Sequence, residues 1–151
     1  YLGGTGVGGG TLIGLSKKLI GMENIEHIVE AAKTGNLDNI DLRISDIAKK
    51  TSRHMELPND MTAANFGKVS DIATSGDIAL GVINMVFETI GMIGMFASRN
   101  AGTKNIVLTG NMTSLPQAKE IFENLNKLFD LNFIIPENAV FATAHGAALA
   151  K

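Results

Sequence analysis

The sequence contains no cysteine, which excludes disulfides and every thiolate metal site. It also lacks a surplus of charge. Thirteen basic and fifteen acidic residues leave a net charge of −2, so nothing points to electrostatic capture of nucleic acid or of an anionic membrane. Histidine is scarce: His27, His54 and His145 lie far apart and show no ligand spacing. No signal or transit pattern is present, and a reducing cytoplasm is the default expectation. What remains is an ordinary globular balance, 45% hydrophobic and 19% charged, in 151 residues, enough for a real core.

Against that background the stretch GGTGVGGGTLIGLSK, from Gly3 to Lys17, stands out. Glycine reaches positive φ without steric cost and lets a ligand approach the backbone. Consecutive N–H groups in such a loop can cradle an anion, and a helix starting near Thr11 would add its positive end. A hydroxyl from Thr11 would be a further donor. The pattern predicts a phosphate site. A phosphate loop normally leaves a β-strand, and only Tyr1-Leu2 precedes this one. The expectation is therefore the C-terminal piece of a longer protein.

A Walker loop is excluded, because no Gly-Lys-Ser or Gly-Lys-Thr occurs. Gly4, Gly6 and Gly9 satisfy G-x-G-x-x-G, with Glu23 or Glu26 downstream, so a dinucleotide fold is conceivable. Such a fold needs a strand soon after the first helix, and helical patterns continue instead for most of the next ninety residues.

Periodicity predicts a first helix with Leu12, Leu15, Leu19 and Ile20 on one face and Lys17 and Lys18 opposite, stopped by Gly21. A second spans Glu23 to Lys33, with Ile25, Ile28, Val29 and Ala32 inward. Asn36 or Asp38 is the expected cap of the next element. Short helices are expected over Asp41 to Lys50 and Thr62 to Ser70, with a turn at Pro58-Asn59-Asp60 between them. Asp77 to Arg99 is the longest element and is apolar almost all round. Its length would span a bilayer, but Asn84 and Glu88 sit mid-span and no basic cluster flanks it, which favours a buried core helix. Its methionines, such as Met85, Met92 and Met95, read as core filling, and Gly81, Gly91 and Gly94 would allow close approach of a neighbouring backbone.

The pattern then alternates. NIVLTG is a short buried strand ending at Gly110. Leu115 to Phe129 is an amphipathic helix capped by Ser114, with Pro116 in its first turn. LNFIIP is a second strand, and Ala142 to Lys151 a final helix packed tightly on the sheet, with His145 buried or helix-packed and His27 and His54 on the surface. Strand, helix, strand, helix makes an α/β half with a crossover connection. The turn LTGNM, Leu108 to Met112, would lie at the crevice where open sheets bind ligands, presenting Asn111. The two glycine turns would then grip a nucleotide from two sides.

GGTGVGGGTLIGLSK, MTAANFGKV, NIVLTGNM and AHGAALA, in that order, resemble type II pantothenate kinases over essentially the whole chain. The resemblance implies an α/β fold of the actin-like ATPase (ribonuclease H-like) class, here a C-terminal nucleotide-binding lobe, residues 1–151, with a large helical portion and the N-terminal lobe absent. It implies phosphorylation of pantothenate by ATP and Mg2+ in coenzyme A synthesis, by a cytoplasmic homodimer. It places Gly9, Gly10, Thr11, Leu12 and Ile13 in the ATP site, with Gly6 and Gly8 shaping the loop. Ile25 falls near the adenine pocket, and Asn111 touches the nucleotide. The family's catalytic carboxylate and acidic metal residue lie upstream of this sequence, so no catalytic or metal-binding residue is nominated here. Asp60, Asp71, Asp77 and Glu88 read as caps, surface charges or core hydrogen bonds. The isolated chain is expected to be inactive as a kinase. Two rivals are a kinase of another small alcohol or sugar on the same fold, and a non-catalytic nucleotide-binding protein.

Overall fold

The computed structural model describes residues 1–47, 59 and 61–150. The expectations at His54, at Pro58 and Asp60, and for the end of the helix proposed over Asp41 to Lys50 lie outside them. The chain is mixed α/β and largely helical, and forms two compact units: unit 1 is Tyr1–Thr11 with Val86–Lys151, and unit 2 is Leu12–Met85.

In unit 2, helix α1 (Gly9–Ile20, from Leu12 onward) buries Leu12 and Ser16. Its expected apolar face is narrower than the pattern suggested, because Leu19 is 51% exposed. Gly21, at φ 71°, ends the helix as expected, its N–H donating to the Lys17 carbonyl. Helix α2 (Ile25–Ala32) starts two residues later than expected, because Asn24 caps it by accepting from the Glu26 N–H at 2.8 Å. Ile28 and Ala32, one turn apart, are its buried residues. Asn36 then caps a 3-10 turn over Leu37–Asn39.

Two expectations fail here. The segment from Asp41 is not one helix. It opens as strand β1 (Leu42–Arg43) and turns into a four-residue helix α3 (Ile44–Ile47). Thr62 to Ser70 is not helical either: it begins as strand β2 (Thr62–Ala64), antiparallel to β1 with Leu42 opposite Ala64. The cause is local. Phe66 is held in the left-handed region at φ 56°, and helix cannot pass through that conformation. Gly67 follows where a Cβ would meet Leu42 and Ala64 side chains at 2.9 Å, so the turn lies directly on the β1–β2 pair.

Helix α4 (Ser75–Ala101) is the long element, and by length and composition it could cross a membrane. Half of its most apolar stretch is buried. Its mid-span Asn84 is 4% exposed and donates to the Asp41 carboxylate at 3.0 Å. A polar residue satisfied in that way belongs to a protein core. The α4 residues up to Met85 pack in unit 2. Gly76 lies against the end of α2, where a Cβ would come within 2.8 Å of the Ala31 carbonyl oxygen. Gly81 faces Ile40 and the Phe66 ring.

Unit 1 contains the anticipated crossover. Strands β3 (Asn105–Val107) and β4 (Asn132–Ile134) pair in parallel, Ile106 opposite Phe133, and helix α5 (Pro116–Phe129) joins them. Strand β3 is not buried as expected: Asn105 and Val107 are exposed on either side of a half-buried Ile106. Ala118, Phe122 and Leu125 are the buried face of α5, at the spacing a helix requires. Phe122 meets Phe87 edge-on, with ring centroids 5.5 Å apart, and a tilted Phe133 at 5.0 Å. Gly91 of α4 makes room for Leu125, and Gly94 for Phe133, so these glycines, like Gly81, admit side chains rather than the neighbouring backbone expected of them. Asp130, left-handed at φ 52°, closes α5 with its N–H on the Asn126 carbonyl, and Asn126 Oδ1 accepts from the Phe133 N–H, fixing where β4 starts.

Ser114 does not cap α5. Its hydroxyl donates backwards to the Asn111 carbonyl at 2.7 Å, so Leu115 precedes the helix without a side-chain cap. The last helix, α6 (Ala142–Leu149), is exposed from Thr143 onward, His145 included. Its small residues are not packed tightly on the sheet as their composition suggested.

A candidate phosphate-binding loop

The glycine loop and its helix start belong to unit 1. Gly6 turns the chain at φ 68°, which glycine adopts freely. Thr5 Oγ1 accepts from the Val7 N–H at 2.9 Å and lies 3.0 Å from the Val7 carbonyl oxygen. Thr11 Oγ1 accepts from the Gly8 N–H at 3.3 Å and donates to the Gly6 carbonyl at 3.2 Å. The loop is therefore tied from within by two hydroxyls. Helix α1 begins at Gly9, and the N–H groups of its first turn have no acceptor inside the helix. No acidic side chain occupies that turn, so the positive end of the helix dipole is not offset locally.

Gly9 is where the second glycine turn arrives. A Cβ on Gly9 would lie 3.6 Å from Met112 Sδ. Met112 belongs to the 3-10 turn Asn111–Ser114, which comes after Gly110 at φ 103°. That turn is held by the Gly110 N–H donating to the Ala139 carbonyl at 2.9 Å and by Thr113 Oγ1 donating back to Gly110 at 2.7 Å. Asn111 is exposed at its start, beyond the C-terminal end of β3. The structure thus brings Gly6, Gly8, Gly9, Gly10 and Thr11 into the unit that also carries Asn111. Leu12, Ile13 and Ile25 belong to unit 2. Leu12 is fully buried, which leaves only its backbone for a ligand, while Ile13 is 39% exposed and Ile25 half-buried at the head of α2.

Glycine at 8 and 10 has no explanation in the fold. Neither position has a positive φ, and a Cβ at either would meet nothing within 4 Å. Gly10 lies inside α1, where glycine costs about 1 kcal/mol relative to alanine. A bare backbone kept at that cost fits an anion seated against it.

No group of three or more histidine or acidic residues that could hold a metal ion occurs among the described residues. Of the carboxylates considered as bases, Asp71 is exposed and Asp77 is committed to the cap of α4. A buried polar cluster in unit 2 was not anticipated. Asp41, 1% exposed, accepts from the Phe66 N–H at 2.9 Å and from Asn84. Burial pushes its carboxyl above the usual carboxylate value, against the opposing effects of Phe66, Asn84, Asn65 and Arg43. The sequence signal was Asn84, a polar residue in an apolar helix, which requires a partner.

The raised pKa of Asp41 makes its contribution to stability complete below the unfolded carboxylate pKa, about 4. That contribution is lost as pH rises through the raised folded value. Asp41→Asn removes the titration. In thermal melts from pH 4 to pH 7, the Tm of the variant is expected to gain on that of the wild type as pH rises. A constant difference would contradict the burial of a charge at this position.

The chain is largely helical α/β, and its glycine loop feeds a helix N-terminus, an arrangement able to seat an anion. The sequence family described as Fumble matches residues 1–129. The chain is 32% identical over 152 aligned positions to the type II pantothenate kinase of Staphylococcus haemolyticus, covering 97% of the chain and 56% of that protein. It is 31% identical over 153 positions to the type II pantothenate kinase of Oceanobacillus iheyensis, covering 99% and 58%. A type II pantothenate kinase of Bacillus cereus is 37% identical over 107 positions, covering 69% and 37%. The chain belongs to the Fumble family. It spans little more than half the length of the first two of these relatives.

Proposed function

We propose that this chain is the nucleotide-binding C-terminal lobe of an ATP-dependent pantothenate kinase with an actin-like ATPase fold. The observation that carries the reading is the bare backbone at Gly8 and Gly10, beside a helix end with no acidic side chain in its first turn. Phosphate oxygens of ATP would lie against the N–H groups of Gly9, Gly10 and Thr11. Gly6 and Gly8 shape the loop, and the exposed amide of Asn111 bonds the nucleotide. Leu12, Ile13 and Ile25 complete the ATP-binding set on the family resemblance. The reaction is transfer of the γ-phosphoryl group to the pantothenate hydroxyl, giving 4'-phosphopantothenate, the first step of coenzyme A synthesis, by a cytoplasmic homodimer that engages neither nucleic acid nor membrane.

Phosphoryl transfer rests on positioning and charge neutralisation. In this reading the loop supplies positioning and the partial positive charge of a helix end. Neither it nor the first turn of α1 carries a carboxylate, so Mg2+ does not fit a site built from this loop, and no step through it is assigned to these residues. The catalytic base is likewise assigned to the part of the kinase outside this chain.

The test measures ADP formation by the full-length protein with ATP and magnesium, with and without pantothenate. Pantothenate-dependent turnover is expected. Gly10→Val should reduce it at least a hundredfold without a drop in Tm, because the space at residue 10 is open in the fold and is the space the proposed nucleotide would occupy. Nucleotide binding without turnover would move the protein to another acceptor, or to a non-catalytic role.

A further inference from the structure

We propose that the Thr11 hydroxyl is a positioning group of the phosphate loop rather than a ligand of the phosphate, which the Thr11 N–H remains free to meet. The inference rests on the nucleotide site proposed above and revises the donor role that its hydroxyl would suggest. Thr11 Oγ1 has one proton to give, and that proton is directed at the Gly6 carbonyl, 3.2 Å away. The same oxygen accepts from the Gly8 N–H at 3.3 Å. A single hydroxyl thus closes the chain across the left-handed turn at Gly6, from the third residue of α1 back to the residue just before the helix. The arrangement matches one half of a capping box, in which the third helical residue satisfies the N–H ahead of the first turn.

The consequence concerns the N–H groups that remain. With the Gly8 N–H turned inward, those of Gly9 and Gly10 are the next along the chain, and α1 gives them no acceptor. The loop is glycine-rich and would otherwise sample many conformations, each at an entropic cost to binding. The Thr11 bridge removes that freedom before a ligand arrives. Such preorganisation acts equally on ground state and transition state, so its loss appears in KM and not in kcat.

The experiment compares the full-length wild type with Thr11→Val and Thr11→Ser. Two quantities are read: hydrogen exchange of the Gly8 amide without nucleotide, and the KM for ATP beside kcat. Thr11→Val is expected to raise Gly8 exchange and to raise the KM for ATP about tenfold, with kcat changed less than twofold. Thr11→Ser restores the hydroxyl and with it both quantities. Thr11→Ala carries the same test should the valine variant not fold. Unchanged Gly8 exchange in Thr11→Val, or a tenfold fall in kcat at constant KM, overturns the inference. Wild-type protein that binds no adenine nucleotide overturns the proposed function and this inference with it. Wild-type nucleotide binding whose affinity is unchanged in Thr11→Val overturns the inference alone.

Discussion

Gly35→Ala is expected to destabilise unit 2 by about 3 kcal/mol, with a matching loss in urea midpoint at unchanged slope. A methyl group there would overlap the Gly76 carbonyl and stand 2.8 Å from Leu80 Cβ. The obstacle is backbone on a neighbouring element, which cannot turn aside as a side-chain tip does. The reverse view is as tight: a Cβ on Gly76 would reach 2.8 Å from the Ala31 carbonyl and 2.9 Å from Thr34 Oγ1. The end of α2 and the start of α4 therefore touch through two bare backbones. Gly10→Ala is the control, since it meets nothing within 4 Å and gains helix propensity. Equal stability of the Gly35 and Gly10 alanine variants would refute the close approach.

The second large effect is at Asp77. The side chain is 3% exposed and accepts three hydrogen bonds: from the Asn36 N–H at 2.6 Å, the Thr74 N–H at 2.8 Å and the Asn39 amide at 3.2 Å. Thr74 Oγ1 accepts in return from the Asp77 N–H, a reciprocal cap at the start of α4. Asp77→Ala leaves these donors without their charged acceptor and is expected to cost about 3 kcal/mol. Asp77→Asn, which keeps one acceptor oxygen, should cost less. The Thr74 N–H, with those of Asn36 and the other donors, holds the carboxyl below its usual value. A lowered carboxylate contributes stability above the unfolded pKa, about 4, and loses it as pH falls through the folded value. Denaturation of the wild type between pH 5 and pH 2 should therefore show an acid loss that is reduced in Asp77→Ala. An identical acid limb in both proteins would exclude Asp77 as its source.

What the sequence revealed, and what it hid, divides along physical lines. The crossover in unit 1 was legible, because strand-length apolar runs, the α5 periodicity and Pro116 all mark local boundaries. So was α4 as a core helix, through the cost of Asn84 among apolar neighbours. The glycine loop was legible as a turn into a helix, whereas its contact with the Gly110–Met112 turn depends on Met112, which carries no such signal in the sequence. The β1–β2 pair was hidden, since a two- or three-residue strand has no periodicity to read and its partner lies about twenty residues away. TAANFG looked helical because nothing in a side-chain pattern discloses that Phe66 takes a positive φ. Small residues in α6 suggested close packing, but alanine is equally at home on an exposed helix, which is where α6 places it. Thr11 was read as a donor to a ligand. Only geometry reveals that the loop itself uses its proton.

The Asp77 network also imposes an order in time. Asn36 and Asn39 leave the ribosome well before Asp77, which bonds partners 41 and 38 residues earlier in the chain. Until residue 77 emerges, those donors have only water to bond, and the segment after α2 is without the acceptor that holds it. The carboxylate in the first turn of α4 is therefore also the group whose arrival holds the segment that follows α2. A nascent chain halted short of that point would expose the end of α2 to proteases, and a few further residues of synthesis would bring its closure.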